Sequence, residues 1–301
     1  MVVAVIAALA AALAYAVAAV FQQRAARDAP PSEALHLRLL WSLAHRPIWL
    51  IGVLADVAGF VLQFIALGRG ALILVQPLLV SSLLFAMPLG AALSANRRIT
   101  RQEWVAALEV VVGLALFLVV ADPRPGSATT TATGWSVVTA GTAAPVVVLL
   151  SLSRYYGGSV RASLQAASAG VIYGLSAAYT KTVAHAVTGA PGAGHALVAV
   201  LTAWQSYALI ATGVVGLVLA QTAFQAGPLG WSLPALTVVD PVVSIIIGAI
   251  GFQEAIASSP LAITAEVAGM ALMALGVTGL ARSSPMVPAP AQPTTAAGGP
   301  P

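Results

Sequence analysis

The chain contains no cysteine, which excludes disulfides, thiolate metal sites and cysteine nucleophiles. Charge is nearly as scarce. Only 7% of the 301 residues are Asp, Glu, Lys or Arg, against about 25% in soluble proteins. A net charge of +4 and a pI near 9.9 would suit a nucleic-acid binder, but no basic run interleaved with aromatics accompanies them, so no nucleic-acid partner is expected. There is no GxxxxGK[ST], HExxH or GxSxG motif, hence no visible ATP drive and no support for intramembrane hydrolysis. The chain is therefore not read as an enzyme, and any transport would run on a gradient. His36, His45, His185 and His195 lie at or between apolar segments, with spacings that make no ligand set.

What is abundant is apolar sequence: 59% hydrophobic residues and a mean hydropathy of +0.96. This describes an all-α, polytopic membrane protein embedded in a lipid bilayer, the plasma (cell inner) membrane. Nine segments approach the roughly 20 residues a spanning helix needs: 2–21, 48–67, 71–93, 103–121, 135–152, 164–187, 204–224, 231–252 and 261–281. The first is followed, not preceded, by arginines (Arg24, Arg27), as expected of an uncleaved helix rather than a signal peptide. Residues 283–301 are rich in Pro, Ala and Gly, carry no charge and read as a disordered tail. With the N-terminus outside, ten of the thirteen basic residues fall on the cytoplasmic side. Only Arg69 and Arg124 fall outside, and Lys181 lies within a helix. The positive-inside rule then assigns N-out, C-in.

One segment stands out. Trp231–Phe252 is long enough to span, and its only ionisable residue, Asp240, sits near the middle, directly before Pro241. A charge at that depth costs roughly 2.5–3.5 kcal/mol, and an interior proline removes a ladder hydrogen bond. Gln76-Pro77 echoes it in an earlier segment. The echo extends further. Tyr15, Ala19, Phe21, Gln23 and Gln63 match Tyr173, Ala177, Tyr179, Lys181 and Gln221 at a shift of 158. Pro77, Ile99 and Thr100 match Pro241, Ile263 and Thr264 at 164, and Glu103 and Gly113 match Glu266 and Gly276 at 163. Residues 1–121 (helices 1–4) and 164–282 (helices 6–9) thus read as two repeats, with 122–163 supplying a linker and helix 5. Five helices from the start of one to the start of the other make the repeats inverted, the arrangement of many secondary transporters with a midplane site between the halves.

Few polar residues lie in the helices, so each can be weighed. Asp240 is the strongest candidate for an ion or substrate path. Lys181 can counter Asp240, hold an anionic substrate or snorkel to the interface. Asp56 and Glu109 sit about two turns in from the cytoplasmic side, lining an inner vestibule or staying hydrated in its mouth. Gln76, Gln63 and Gln221 are substrate contacts or interhelical hydrogen bonds. Tyr15 and Tyr173 line a cavity or pack in the core. Thr100-Arg101-Gln102-Glu103 fits a capping box, while Glu254 and Glu266 flank the last outer loop and are expected to be solvated. Pro77 and Pro241 are the candidate hinges.

The order of features in helices 1–4 and their repetition resemble the drug/metabolite transporter superfamily, its EamA-like and NIPA-like members, over almost the whole chain to about residue 282. The residues carrying the NIPA-like resemblance are Trp49, Gly52, Gly59-Phe60, Gln63-Phe64-Ile65-Ala66-Leu67 and Leu74-Val75-Gln76-Pro77-Leu78. One departure is that the acid expected after the glycine falls on Phe60, with Asp56 one turn earlier. The superfamily's Gly-Glu after the third helix reads Gly90-Ala91 in the first repeat, whereas the second has Glu254. The resemblance implies a gradient-driven, alternating-access transporter of a small metabolite, drug or cation. A NIPA-type Mg²⁺ transporter, with Asp240, Asp56 and Glu109 as ligands, is the alternative. A non-transporting membrane scaffold is the rival from another class. No cofactor is expected, and two repeats in one chain remove the need for a homo-oligomer without forbidding one.

Overall fold

A computed structural model describes residues 1–27, 46–93, 99–121, 124, 126–226, 229–255, 257 and 259–283, and they are almost wholly helical. The helices are α1 (Val2–Arg27), α2 (Pro47–Arg69), α3 (Leu72–Leu79), α4 (Ser82–Ala92), α5 (Arg101–Ala121), α6 (Ala132–Ser153), α7 (Gly158–Thr188), α8 (Ala193–Thr202), α9 (Trp204–Ala226), α10 (Leu229–Gly251) and α11 (Pro260–Ser283). Among the described residues seven stretches are long and apolar enough to cross a bilayer, and α8 with α9 makes an eighth, bent by 65°. The chain is a polytopic membrane protein. The tail beyond 283 lies outside the described residues.

Three of the nine expected segments differ in detail. The segment 71–93 is two helices, joined where the amides of Val80 and Ser81 bond the carbonyls of Pro77 and Leu78, three residues back. That is a 3₁₀ joint, and it follows a proline that already lacks a ladder donor. By contrast α10 runs unbroken through both Pro234 and Pro241. The seventh segment is preceded by α8, too short to span and therefore invisible to a search for 20-residue runs. The sixth, α7, is 31 residues long, about 46 Å at 1.5 Å per residue, yet is not among the stretches apolar enough to qualify. It packs against α2, α6, α9 and α10, so much of its surface meets protein rather than lipid and tolerates Ser, Thr, Gln and Lys.

Glycine sets how closely the helices approach, as expected in a bilayer, where packing replaces the hydrophobic drive. In α7, Gly170 and Gly174 face α10: a Cβ on Gly170 would meet the Leu236 carbonyl at 2.9 Å, and one on Gly174 the Asp240 carbonyl at 3.1 Å. The contact between α5 and α11 is tighter and internally symmetric. A Cβ on Gly113 would meet the Gly269 carbonyl at 2.5 Å and the Met273 amide at 2.7 Å. A Cβ on Gly276 would meet the Ala106 carbonyl at 2.4 Å and the Val110 amide at 2.7 Å. Residues 106, 110 and 113 become 269, 273 and 276 at the shift of 163 seen between the sequences. Each contact is the other with the two helices exchanged, which is how a two-fold interface behaves. A second contact recurs between α1/α2 and α7/α9. The Tyr15 ring covers Gly59, 2.8 Å from where its Cβ would be, and the Tyr173 ring covers Gly216 at 2.6 Å.

At Gly276 the obstacle is backbone, which cannot rotate away. Gly276→Ala is expected to cost about 1–3 kcal/mol through overpacking. Gly141, which has open space around it, should gain up to about 1 kcal/mol as Gly141→Ala, because a mid-helix glycine loses entropy that alanine does not. Thermal unfolding of the purified proteins in one detergent checks both signs.

Candidate functional site

Two groups of polar residues are assembled by the fold. The first gathers five of the residues singled out in the sequence. Tyr15 on α1 donates its hydroxyl to Gln63 Oε1 on α2 at 2.6 Å. Gly59, one turn from Gln63, is what lets the ring lie across α2. Asp56, a further turn along α2, and Asp240 on α10 both lie within electrostatic reach of Tyr15 and of Tyr173 on α7. The carboxylates come from different halves of the chain and act at a distance on the same repeat-related pair of tyrosines. Asp240 accepts a hydrogen bond from Ser244 Oγ at 3.3 Å, one turn along its own helix. Tyr15, Gln63, Tyr173 and Asp240 are half-buried and Asp56 is exposed.

The other candidates separate from this group. Gln76 is buried on α3 with its amide nitrogen unpartnered. Glu109 is half-buried on α5. Gln221 falls on α9, but its side chain lies outside the described residues. Among the described residues no three Asp, Glu or His side chains converge as a metal site would require. Beside Pro241 the space is a void of only about 10 Å³, walled by Val80, Thr237, Met270 and Met273 among others. A much larger open groove, about 690 Å³, lies elsewhere, between Trp135, Ser136 and Thr139 on α6 and Trp204 and Gln205 on α9.

The second group corrects the sequence reading. Glu254, expected to be solvated, is 4% exposed. Lys181 neither counters Asp240 nor snorkels: it is buried and forms an ion pair with Glu254. The same carboxylate accepts the backbone N–H groups of Leu72 at 2.7 Å and Ile73 at 2.9 Å. These are the first amides of α3, donors that a helix leaves unsatisfied and that favour an anion. Local structure explains the reach. After α10, Gln253 adopts a left-handed φ of 55°, and the Glu254 amide turns back to the Gly248 carbonyl at 3.0 Å, so the side chain points into the bundle. Gly248 has no Cβ to obstruct Glu254 Oε2. The ammonium of Lys181 also lies 4.4 Å from the centre of the Phe252 ring, a favourable cation–π distance. Phe252 meets Trp135 edge-on at 5.9 Å, and Trp135 stacks on Tyr179 at 4.9 Å. Backbone bonds between Arg124 and Ala255, and from the Ser127 amide to the Phe252 carbonyl, stitch the two loops over the cluster.

Nothing in the local sequence announced this group, because its members are 73 and 182 residues apart. The one available signal was the single lysine within an apolar run. Glu266, also expected to be solvated, is 6% exposed, and one of its carboxylate oxygens has no partner. Glu103 does what its spacing predicts. It takes the Thr100 amide at 2.7 Å while Thr100 Oγ1 takes the Glu103 amide at 3.2 Å.

Breaking a buried pair from one side strands a charge. Lys181→Met is expected to cost about 3–5 kcal/mol, and adding Glu254→Gln should recover most of it, since removing both charges of a buried pair is often near neutral. Thermal unfolding of wild type, single and double variants checks the cycle.

Comparison with described protein families and with solved structures finds no match to either. Among curated proteins the chain is 32% identical over 251 residues to an uncharacterized protein of Corynebacterium glutamicum, a span covering 81% of this chain and 83% of that one. Identity at that level over most of both chains is common descent, and the chain belongs to the same family as the corynebacterial protein.

Proposed function

We propose that the protein is a gradient-driven secondary transporter of the drug/metabolite type, moving a small metabolite, drug or cation across the plasma membrane by alternating access. It is not an enzyme on this reading. The observation that carries it is the sharing of Tyr15 and Tyr173 by Asp56 and Asp240. A carboxylate at the mid-depth of Asp240, in a bundle this apolar, is expensive unless it meets a cation or proton, and the interface between halves is where inverted-repeat transporters place their site.

Further support comes from the exchanged glycine contacts of α5 and α11, which fit nine helices in two inverted repeats about a central helix, with α7 and the bent α8–α9 pair as the sixth and seventh. The arginine-rich loops then face the cytoplasm. Asp240 binds the cation or coupling proton, with Tyr15, Gln63 and Tyr173 as neighbours. The 3₁₀ joint after Pro77 lets α3 move against α4. An organic substrate is preferred to Mg²⁺, because the group brings aromatic rings and an amide together with Asp240, and among the described residues no cluster of three Asp, Glu or His side chains accompanies it.

The test is flux into liposomes holding the purified protein, wild type beside Asp240→Asn. Uptake of a metabolite under a proton gradient that the substitution abolishes is the expected result. Mg²⁺ uptake abolished in the same way would move the protein to the NIPA-type reading. Transport unchanged in Asp240→Asn at equal protein content would refute the role given to Asp240. Absence of flux for every solute would favour a scaffold.

A further inference from the structure

In sequence, the pair at Lys181 has no repeat-related counterpart in the first half. The shift of 158 carries Lys181 back onto Gln23, and the shift of 164 carries Glu254 back onto Gly90. The first half therefore has neither the base nor the acid. The pair also joins three elements that belong to different halves: α7, the turn after α10, and the start of α3. Around it Lys181, Glu254, Phe252 and Trp135 are all buried, whereas Asp240, Tyr15 and Tyr173 are half-buried. The buried pair lies at the end of the bundle opposite the arginine-rich loops.

We propose that Glu254 is a latch that closes this end, holding Lys181 with one oxygen and sharing its lone pairs with the first two amides of α3. The inference rests on the alternating-access reading and deepens it by naming the gate and its side. A latch of this chemistry is strong yet reversible. Every partner of the carboxylate is a donor that water can replace once the end opens, and no covalent bond has to be broken. Release of Glu254 frees the start of α3. That helix is only eight residues long and already jointed after Pro77, so it can tilt and open a path toward Asp240. The asymmetry of the halves places this polar latch on one face only.

The absence of cysteine makes the test direct, since any introduced thiol is the sole one. Ser244→Cys puts a reporter beside Asp240 at a fully buried position, and Ser168→Cys puts one at a fully buried position on α7 toward the arginine-rich end. Cells displaying each reporter are treated from outside with a membrane-impermeant maleimide. In the parent latch both thiols should react slowly. With Lys181→Met/Glu254→Gln, which leaves no stranded charge, the thiol at 244 should react at least tenfold faster while the one at 168 stays protected. Equal protection of 244 with and without the latch would overturn the proposal. Acceleration at both reporters would overturn it too, because the pair would then hold the fold rather than a gate. The charge swap Lys181→Glu/Glu254→Lys should fail to restore protection, because a lysine at 254 cannot accept from Leu72 and Ile73. Restoration by the swap would refute the part assigned to the α3 amides. No substrate is needed, so the result stands apart from the outcome of the flux assay.

Discussion

A single carboxylate, that of Glu254, organises one end of this bundle. It neutralises the buried ammonium of Lys181 and supplies the acceptor that the first turn of α3 lacks. In a low-dielectric interior either requirement unmet would be costly. Meeting both with one group brings the chain after α10, the middle of α7 and the start of α3 to one point. The surrounding aromatic rings follow. Phe252 lies under the ammonium, Trp135 lies against Phe252, and Tyr179 and Trp204 close the cluster against Trp135. Water is thereby kept from the pair, which strengthens it.

The rest of the bundle is held differently. Helices touch through missing side chains: Gly113 and Gly276 between α5 and α11, Gly170 and Gly174 between α7 and α10, Gly59 and Gly216 beneath tyrosine rings. Such contacts allow dispersion and weak Cα–H···O bonds at close range and present smooth surfaces.

Asp240 shows why position along a helix and position in the fold must be separated. Its depth within an apolar segment marked it from the residues alone. The tyrosines within its electrostatic reach came from elsewhere: Tyr15 from the first helix, where it bonds Gln63 of the second, and Tyr173 from the seventh. Lys181, the obvious counter-charge by composition, is committed to a different acid. Asp56, one turn before Phe60, lies within electrostatic reach of the same two tyrosines.

Membrane class, the helical segments and their approximate bounds, the Thr100–Glu103 cap, and the residue correspondences at 158 to 164 were all legible from the residues. Each rests on composition or on spacing within one segment, and these are local properties. The division of the third segment, the short α8 and the burial of Glu254 and Glu266 were not. A 3₁₀ joint and a sharply bent pair leave apolar periodicity intact, and a glutamate at a helix end looks hydrated until something is seen to cover it. Which acid Lys181 meets was settled by the left-handed turn at Gln253 and by α3 beginning within reach of it. Ion pairs between residues far apart in sequence depend on where backbones cross, and that is decided by packing at glycines rather than by any pattern around the charges themselves.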